Sequence, residues 1–230
     1  MSTPAAPNSP ARVAGLLLAA GSGSRLGRPK ALVEIAGQTL AERGVALLTA
    51  GGAAPVVVVT GAAPVEPAGA LVVHNPDWAT GMGSSLAAGL TALVGLKTGQ
   101  DASPNAGHQP IEAVVIALAD QPLVGPAAVA RLIAAYRDGA PVAVAAYHGQ
   151  PRNPVLIARP HWAEVIRLST GDVGARPFLR AHPELRTLVE CGDTGRPDDV
   201  DTPEDLARII HELTTSPPEH PAAGQSPAAQ

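Results

Sequence analysis

The sequence has little cysteine, few aromatic residues and no long apolar run. Its one cysteine, Cys191, excludes an intrachain disulfide, so we expect a reducing compartment and assign the protein to the cytoplasm. Because Phe, Trp and Tyr make up only 2% of the residues, the hydrophobic core must consist mainly of Ala, Val, Leu and Ile. No apolar run approaches the roughly 20 residues that a membrane-spanning helix needs, so we expect no membrane partner.

Positive charge is also scarce. The sequence has 16 Lys and Arg against 20 Asp and Glu, a net charge of −4, and no strongly basic stretch. We therefore expect no nucleic-acid partner.

The 230 residues are enough for one large domain. Pro, Ala and Ser dominate both ends, which predicts disordered tails over residues 1–11 and 215–230 around a single domain of residues 12–214.

Apolar strands alternate with helices along the chain. The runs 13–20, 56–60 and 114–119 contain almost no polar side chain, which is typical of strands buried on both faces of a parallel sheet. Thr39 and Glu42 match a capping box at the start of a helix. The alternation predicts an α/β fold with a mostly parallel sheet and helices on both faces. Further strands are predicted at 71–73, 142–147 and 185–191, helices at 84–96, 126–138, 161–168, 177–181 and from 203 onwards, and a surface insertion at 97–110.

The stretch from Leu16 to Lys30, LLLAAGSGSRLGRPK, joins an apolar strand to a loop of small residues and cations. Glycine lets the backbone approach a ligand, successive N–H groups can hold a phosphate, and Arg25 and Lys30 add positive charge. Leu26 stands where the dinucleotide motif G-x-G-x-x-G needs its third glycine, and Gly27 is not followed by the Lys and Ser or Thr of a P-loop. The stretch predicts an anion-binding loop, with an ordinary glycine-rich turn as the alternative.

Two aspartates stand where α/β proteins carry ligand-binding groups. Asp120 directly follows the predicted strand 114–119, and the carboxyl ends of parallel strands face the ligand-binding edge of a sheet. Asp201 precedes the predicted final helix, which Thr202 caps and Pro203 begins. A turn or cap is the alternative for Asp120, and a favourable charge at a helix N-terminus is the alternative for Asp201.

A third polar stretch, HNPDWATGMGSSL over residues 74–86, has no apolar periodicity and contains many small polar residues. We interpret it as a functional loop that leads into a helix. Serines that serve only as helix caps are the alternative.

The first stretch resembles the signature L-A-A-G-x-[SG]-x-R-[LM]-G-x-x-K of the MobA/MocA-like nucleotidyltransferases. These proteins transfer a nucleoside monophosphate from an NTP to a phosphorylated acceptor, of which molybdopterin is the best known. The segments WATGMGSSL, HGQPRNPVLI and GDVGAR are similar to further segments of the family. The resemblance covers nearly all of residues 12–214, and it implies a three-layer, Rossmann-like nucleotidyltransferase fold of the nucleotide-diphospho-sugar transferase type.

The resemblance also implies roles for individual residues. Asp120, in the family's Asp-x-Pro segment, would bind Mg²⁺, and related folds place a second metal ligand where Asp201 stands. Arg25, Lys30 and Asp120 would be the catalytic residues. The nucleotide-binding residues would be Ala19, Ala20, Gly21, Ser22, Gly23, Ser24, Arg25, Lys30, Asn75, Gly81, Ser84 and Ser85.

The resemblance implies acceptor-binding residues in two segments. Arg152 and Asn153 belong to HGQPRNPVLI, and Asp172 and Arg176 belong to GDVGAR. Many relatives have glycine where Arg152 stands, so its guanidinium either contacts the acceptor phosphate or is simply tolerated. A turn or cap is the alternative for Asp172.

The resemblance favours transfer of CMP from CTP to a molybdopterin-type acceptor, with release of pyrophosphate and delivery of the product to a molybdoenzyme or its maturation chaperone. Members that read L-A-A-G resemble cytidylyltransferases, whereas members that read L-A-G-G resemble guanylyltransferases. The methyl group of Ala20 would narrow the base slot for a pyrimidine. The alternatives are a non-catalytic nucleotide- or cofactor-binding chaperone, a transferase that uses GTP or a sugar phosphate, and a dinucleotide-dependent oxidoreductase, against which the glycine spacing argues.

Overall fold

The computed structural model describes residues 11–96 and 110–215. Apart from their boundary residues, the predicted tails and the insertion predicted at 97–110 lie outside these ranges. Within them, no helix is both long enough and apolar enough to cross a membrane. The strands are β1 Val13–Leu18, β2 Glu34–Ile35, β3 Gln38–Thr39, β4 Val56–Thr60, β5 Leu71–His74, β6 Ala113–Leu118, β7 Val142–Tyr147, β8 Gln150–Ala158 and β9 Arg186–Glu190. The α-helices are α1 Leu40–Ala50, α2 Met82–Gly95, α3 Pro126–Arg137, α4 Trp162–Leu168, α5 Arg176–Ala181 and α6 Pro203–Thr215.

Seven strands form one sheet in the order β5-β4-β1-β6-β8-β7-β9. Strand β8 runs antiparallel to both of its neighbours, while the other neighbouring pairs are parallel. The prediction of an α/β fold with a mostly parallel sheet is confirmed. Strands β2 and β3 form a separate antiparallel hairpin between β1 and α1.

Strand β8 was not predicted, because we interpreted residues 148–157 only as a segment near the acceptor. Residues 150–153, which include Pro151, are exposed or half-buried, whereas residues 154–158, which begin with Pro154, are buried. Proline cannot donate a hydrogen bond to a neighbouring strand and is uncommon inside a sheet, so the local sequence does not indicate a strand.

Alternate residues of β1 point to opposite faces of the sheet and enter two separate clusters of the core. Leu17 packs in a cluster with Leu48 of α1 and Val129 of α3. Leu16 packs in the other cluster, with residues of α2, α4 and α5 such as Leu90 and Trp162. The helices therefore cover both faces, as predicted.

A third, smaller cluster fixes the C-terminal part of the described chain. Val200 and two residues of α6, Leu206 and Ile209, pack against Val33 and Ile35 of the β2–β3 hairpin region. This contact holds the segment just before α6 near the loop that follows β1.

The capping box predicted for α1 is present. The Thr39 hydroxyl accepts a hydrogen bond from the Glu42 N–H (3.2 Å), and the Glu42 carboxylate accepts one from the Thr39 N–H (2.8 Å). The hydrogen bonds that the Thr39 N–H and hydroxyl donate to the carboxylate lower the pKa of the Glu42 carboxyl group. Two helix N–H groups that would otherwise lack partners are satisfied in this way.

Replacing the N-cap should destabilise the fold by a predictable amount. We expect Thr39→Ala to lower the free energy of unfolding by about 1 kcal/mol, the usual cost of losing a threonine cap. Urea denaturation measures this change. Thr49→Ala, at an exposed position of the same helix, is the matched control and should stay within about 0.5 kcal/mol of the wild type. Equal stabilities of the two variants would contradict the role of the cap.

Candidate functional site

The loop after β1 forms a tight turn that only glycine can make at its centre. Gly23 has φ +62°, and its carbonyl oxygen accepts hydrogen bonds from Leu26 N and Gly27 N, both at 2.9 Å. A Cβ atom at this position would stand 2.1 Å from the backbone oxygen of Arg28. The turn therefore reverses the chain direction after β1, and Lys30 follows this turn.

A cavity of about 370 Å³ lies at the carboxyl ends of β1 and β6. The loop after β1, the start of α2 and the end of β6 form its walls. Of the residues implied by the resemblance, those that line the cavity are Ala19, Ala20, Gly21, Ser22, Ser24, Lys30, Gly81, Ser85, Asp120 and Asp172.

Asn75 and Ser84 shape this cavity from behind and are not part of its lining. The buried Asn75 amide donates hydrogen bonds to Ser84 Oγ (2.8 Å) and Ser85 Oγ (3.0 Å). Its oxygen accepts a hydrogen bond from the Asp77 N–H (3.0 Å). Asn75 thus ties the end of β5 to the first turn of α2, where Ser85 faces the cavity.

Lys30 lies between two carboxylates at one end of the cavity. Its ammonium nitrogen is 2.7 Å from Asp120 Oδ2 and 2.5 Å from Asp201 Oδ1. Arg25, which does not line the cavity, contacts the other oxygen of Asp201 at 2.9 Å. The structure therefore brings together the four charged residues that were expected to bind phosphate or metal, in one cluster of alternating charge.

This cluster changes the pKa values of its members. Burial by itself would lower the pKa of the Lys30 ammonium, but the charges and hydrogen bonds of Asp120 and Asp201 outweigh burial, so the pKa is raised. The hydrogen bond from Lys30 lowers the pKa of Asp201. At neutral pH the lysine is thus a cation held by two anions.

A backbone contact fixes the distance between the two aspartates. The N–H of Val200, which is fully buried, donates to the carbonyl oxygen of Asp120 at 2.8 Å. Asp201 follows directly in the chain, so this bond holds it beside the end of β6. Because Val200 belongs to the core cluster around α6, packing of the last helix positions one side of the site.

Two residues that the sequence analysis did not single out complete the acidic end. Gln121 is buried, and its Nε2 donates to Asp199 Oδ1 at 2.9 Å. Burial of the Asp199 carboxyl group and the nearby charges of Asp120 and Asp201 raise its pKa. In the sequence, Asp199 could have been recognised because Asp199 and Asp201 flank the apolar Val200. Gln121 could have been recognised only because it directly follows Asp120.

The residues implied for the acceptor are less concentrated. Asp172 lies in the cavity wall and accepts a hydrogen bond from the Met82 N–H at the start of α2 (3.3 Å). Arg152 is exposed on β8 and donates to the carbonyl oxygen of Pro151. Neither it nor Asn153 nor Arg176, the first residue of α5, belongs to the lining of this cavity.

The donor set fits a divalent cation only in part. Asp120 and Asp201 offer carboxylate oxygens that converge on one cation, and such oxygens suit Mg²⁺ or Mn²⁺. In the ranges 11–96 and 110–215, no three side chains of the His, Cys, Asp or Glu type are placed to hold a metal ion. An ion here would take its remaining ligands from water and substrate phosphates, and Lys30 would have to move away.

Comparison with known proteins identifies the family. The family model for the MobA-like NTP transferase domain matches residues 15–186. The chain belongs to this family. The nicotine blue oxidoreductase of Paenarthrobacter nicotinovorans is 37% identical over 214 residues, which cover 86% of this chain and 96% of that protein. The molybdenum cofactor guanylyltransferase of Rhodobacter capsulatus is 32% identical over 221 residues, covering 90% and 100%.

Solved structures share the fold of this MobA-like NTP transferase. The Mycobacterium tuberculosis rv0371c homolog from Mycobacterium sp. strain JC1 superposes with a TM-score of 0.70 at 30% identity, over 88% of this chain and 97% of that one. The Rv0371C protein of Mycobacterium tuberculosis H37Rv, solved as a complex with manganese, gives a TM-score of 0.64 at 24% identity, over 87% and 98%. The predicted nucleotidyltransferase fold is thereby confirmed.

Removing the cation at the centre of the cluster should destabilise the metal-free protein. We expect Lys30→Met to lower the free energy of unfolding at pH 7 by about 2 kcal/mol, because two half-buried carboxylates lose a charged hydrogen-bond donor. This difference in unfolding free energy between wild type and variant should have its full size above pH 3.8, the ordinary pKa of Asp. It should become smaller as the pH falls below 3.8 and through the lowered pKa of Asp201, because the carboxylate is then protonated.

Urea denaturation in the presence of a chelator, repeated from pH 3 to pH 8, measures this loss. Arg28→Met removes an exposed cation from the same loop and serves as the control, with a change within about 0.5 kcal/mol. If Lys30→Met were as stable as Arg28→Met at pH 7, the ion pairs would not contribute to the fold.

Proposed function

We propose that this MobA-like NTP transferase moves CMP from CTP to a molybdopterin-type acceptor and releases pyrophosphate. The observation that carries the proposal is the cavity between the loop after β1 and the Lys30–Asp120–Asp201 cluster. It combines backbone N–H groups, cations and convergent carboxylates, which is the equipment that phosphoryl and nucleotidyl transfer require.

The loop after β1 would hold the triphosphate. Gly21, Ser22 and Ser24 line the cavity, so N–H and hydroxyl groups are available to phosphate oxygens. Lys30 lines the cavity. Arg25 lies outside the lining and contacts the same carboxylate, Asp201, as Lys30. Either cation contacts the phosphates once it leaves Asp201. The guanidinium grips phosphate in a bidentate manner and the ammonium acts as a point charge.

The chemical step would be an in-line displacement at the α-phosphorus. An ionised oxygen of the acceptor phosphate attacks, a new P–O bond forms, and the bond between the α-phosphorus and the bridging oxygen breaks. Pyrophosphate leaves with the electron pair of that bond. Because the acceptor phosphate is already ionised at neutral pH, no strong general base is needed, and catalysis consists of positioning and neutralisation of charge.

Asp120 and Asp201 would hold Mg²⁺. The ion, when bound, neutralises charge on the triphosphate. The manganese complex of the mycobacterial neighbour supports divalent metal use on this fold. The proposal requires Lys30 to exchange partners, from the two carboxylates to the phosphates.

The acceptor would lie on the side of Asp172, near the start of α2. Arg152, Asn153 and Arg176 are proposed to contact it from β8 and α5. The product would pass to a molybdoenzyme or its maturation chaperone in the cytoplasm. The kinship with a protein named molybdenum cofactor guanylyltransferase supports a molybdopterin-type acceptor.

A second candidate function is an oxidoreductase. One relative, 37% identical and matched over 96% of its length, is named nicotine blue oxidoreductase. The loop after β1 does not offer the glycine spacing of a dinucleotide-binding motif, so a nicotinamide cofactor would have to bind in another way.

One pair of assays separates the two candidates, and Asp120→Asn tests the metal site in the first. With α-labelled CTP, Mg²⁺ and molybdopterin, we expect a labelled product and pyrophosphate from the wild type. Asp120→Asn should lose at least about 10²-fold in turnover, because it keeps the shape and removes the charge that holds the metal. Asp138→Asn, at an exposed cap of α3, is the control and should keep the wild-type rate.

The second assay follows oxidation of a reduced nicotinamide nucleotide with a quinone-type dye. Dye reduction without transfer of label would favour the oxidoreductase. Binding of CTP with neither reaction would indicate a non-catalytic chaperone. Full activity of Asp120→Asn at saturating Mg²⁺ would place the metal elsewhere.

The nucleotide preference follows from one methyl group. The buried Ala20 lines the cavity, and its methyl would narrow the slot for the base. We expect a kcat/KM for CTP that exceeds that for GTP by roughly 10- to 200-fold, the range for a methyl-sized difference. Ala20→Gly should reduce this ratio. Measurement of kcat/KM for CTP, GTP and ATP with one acceptor decides it, and a preference for GTP in the wild type would overturn the cytidylyl assignment.

A further inference from the structure

A second cavity of about 250 Å³ lies on the α1–α3 face of the sheet. Leu47 of α1, Val124 and Pro126 give it an apolar wall. Its polar lining includes Arg43 of α1 and Gln121 from the turn after β6. Arg43 does not line the first cavity, so the two cavities have different charged residues.

Arg43 is a half-buried cation that has no counterion among residues 11–96 and 110–215. Its Nε atom is buried and has no hydrogen-bond partner in the described part of the chain. Burial lowers the pKa of the guanidinium, and no carboxylate of the described residues raises it again. This differs from Lys30, whose burial is compensated by two aspartates.

A desolvated donor without a partner carries an energetic cost that an anion in the cavity would offset. The cavity is smaller than the roughly 300–1,000 Å³ of pockets for drug-sized ligands, so a nucleotide does not fit its dimensions. Its apolar wall adds a preference for a short carbon body. We propose that this cavity binds a small amphipathic anion, a monocarboxylate or phosphate monoester, through Arg43.

The position of the cavity connects it to the first site. Leu118 and Ala119 line both cavities, from the two sides of the end of β6. Gln121, which is buried, lines the second cavity, and its Nε2 donates a hydrogen bond to Asp199 at the acidic end of the first. An occupant therefore contacts the segment that carries Asp120, which suits the binding of an effector.

The test uses 4-bromobenzoate, which combines a carboxylate, an apolar ring and an anomalous scatterer. We expect saturable binding in calorimetry and an anomalous peak beside the Arg43 guanidinium in soaked crystals. Two partial probes, inorganic phosphate and 4-bromobenzyl alcohol, should each bind at least about 10-fold more weakly, because each lacks one half of the chemistry. The experiment requires no nucleotidyl transfer, so it does not depend on the proposed function.

Four variants separate the site from other causes. Arg43→Gln should weaken 4-bromobenzoate binding by at least about 10-fold, whereas Arg43→Lys should retain part of it because the charge remains. Ala46→Trp, at an exposed position of α1 in the cavity lining, should block binding without affecting the core. Lys30 lines the first cavity and not the second, so Lys30→Gln should leave 4-bromobenzoate binding unchanged as long as the variant is folded.

The proposal is overturned by equal affinities of the wild type and Arg43→Gln, by an anomalous peak only in the first cavity, or by the lack of saturable binding up to about 20 mM, a concentration well above a millimolar dissociation constant. Comparing benzoate with phenyl phosphate then distinguishes a carboxylate from a phosphate ester as the preferred group.

Discussion

The contact between Lys30 and its two aspartates joins three distant parts of the chain. Lys30 ends the loop after β1, Asp120 ends β6, and Asp201 precedes the last helix. Half-buried carboxylates next to each other are unfavourable unless a cation lies between them. The fold and the candidate site therefore depend on the same ion pairs: the cation that holds these segments together also occupies the place where chemistry would occur.

The elements that could be predicted from the sequence are those whose residue types match their burial or capping in the structure. Val56 to Thr60 is β-branched throughout and both faces of β4 are buried, and Thr39 with Glu42 satisfies a helix terminus locally. Strand β8 was missed because its two prolines are untypical of a strand, although it pairs with β7 directly before it in the chain. The same limit applies to the site: Asp120 and Lys30 could be singled out, but their mutual contact depends on long-range packing.

The core has few aromatic residues, and helices α1 and α2 approach the sheet closely. A Cβ atom at Gly44 of α1 would stand 2.5 Å from Leu17 Cδ1, and one at Gly89 of α2 would stand 2.4 Å from Leu16 Cδ1. With few large rings to fill space, the core keeps its density by bringing the helix backbones onto the leucines of β1. This close packing on both faces holds the end of β1, and with it the start of the following loop, in a fixed position.

The charges around the first cavity explain why a divalent cation suits this site. Among the described residues that line it, Lys30 is the only cation, and it is already paired with Asp120 and Asp201. Asp172 adds a further negative charge to the wall. A triphosphate that entered alone would meet more repulsion than attraction. A divalent ion on the two carboxylates would reverse this balance, because it would replace Lys30 there and leave both Lys30 and Arg25 available to phosphates.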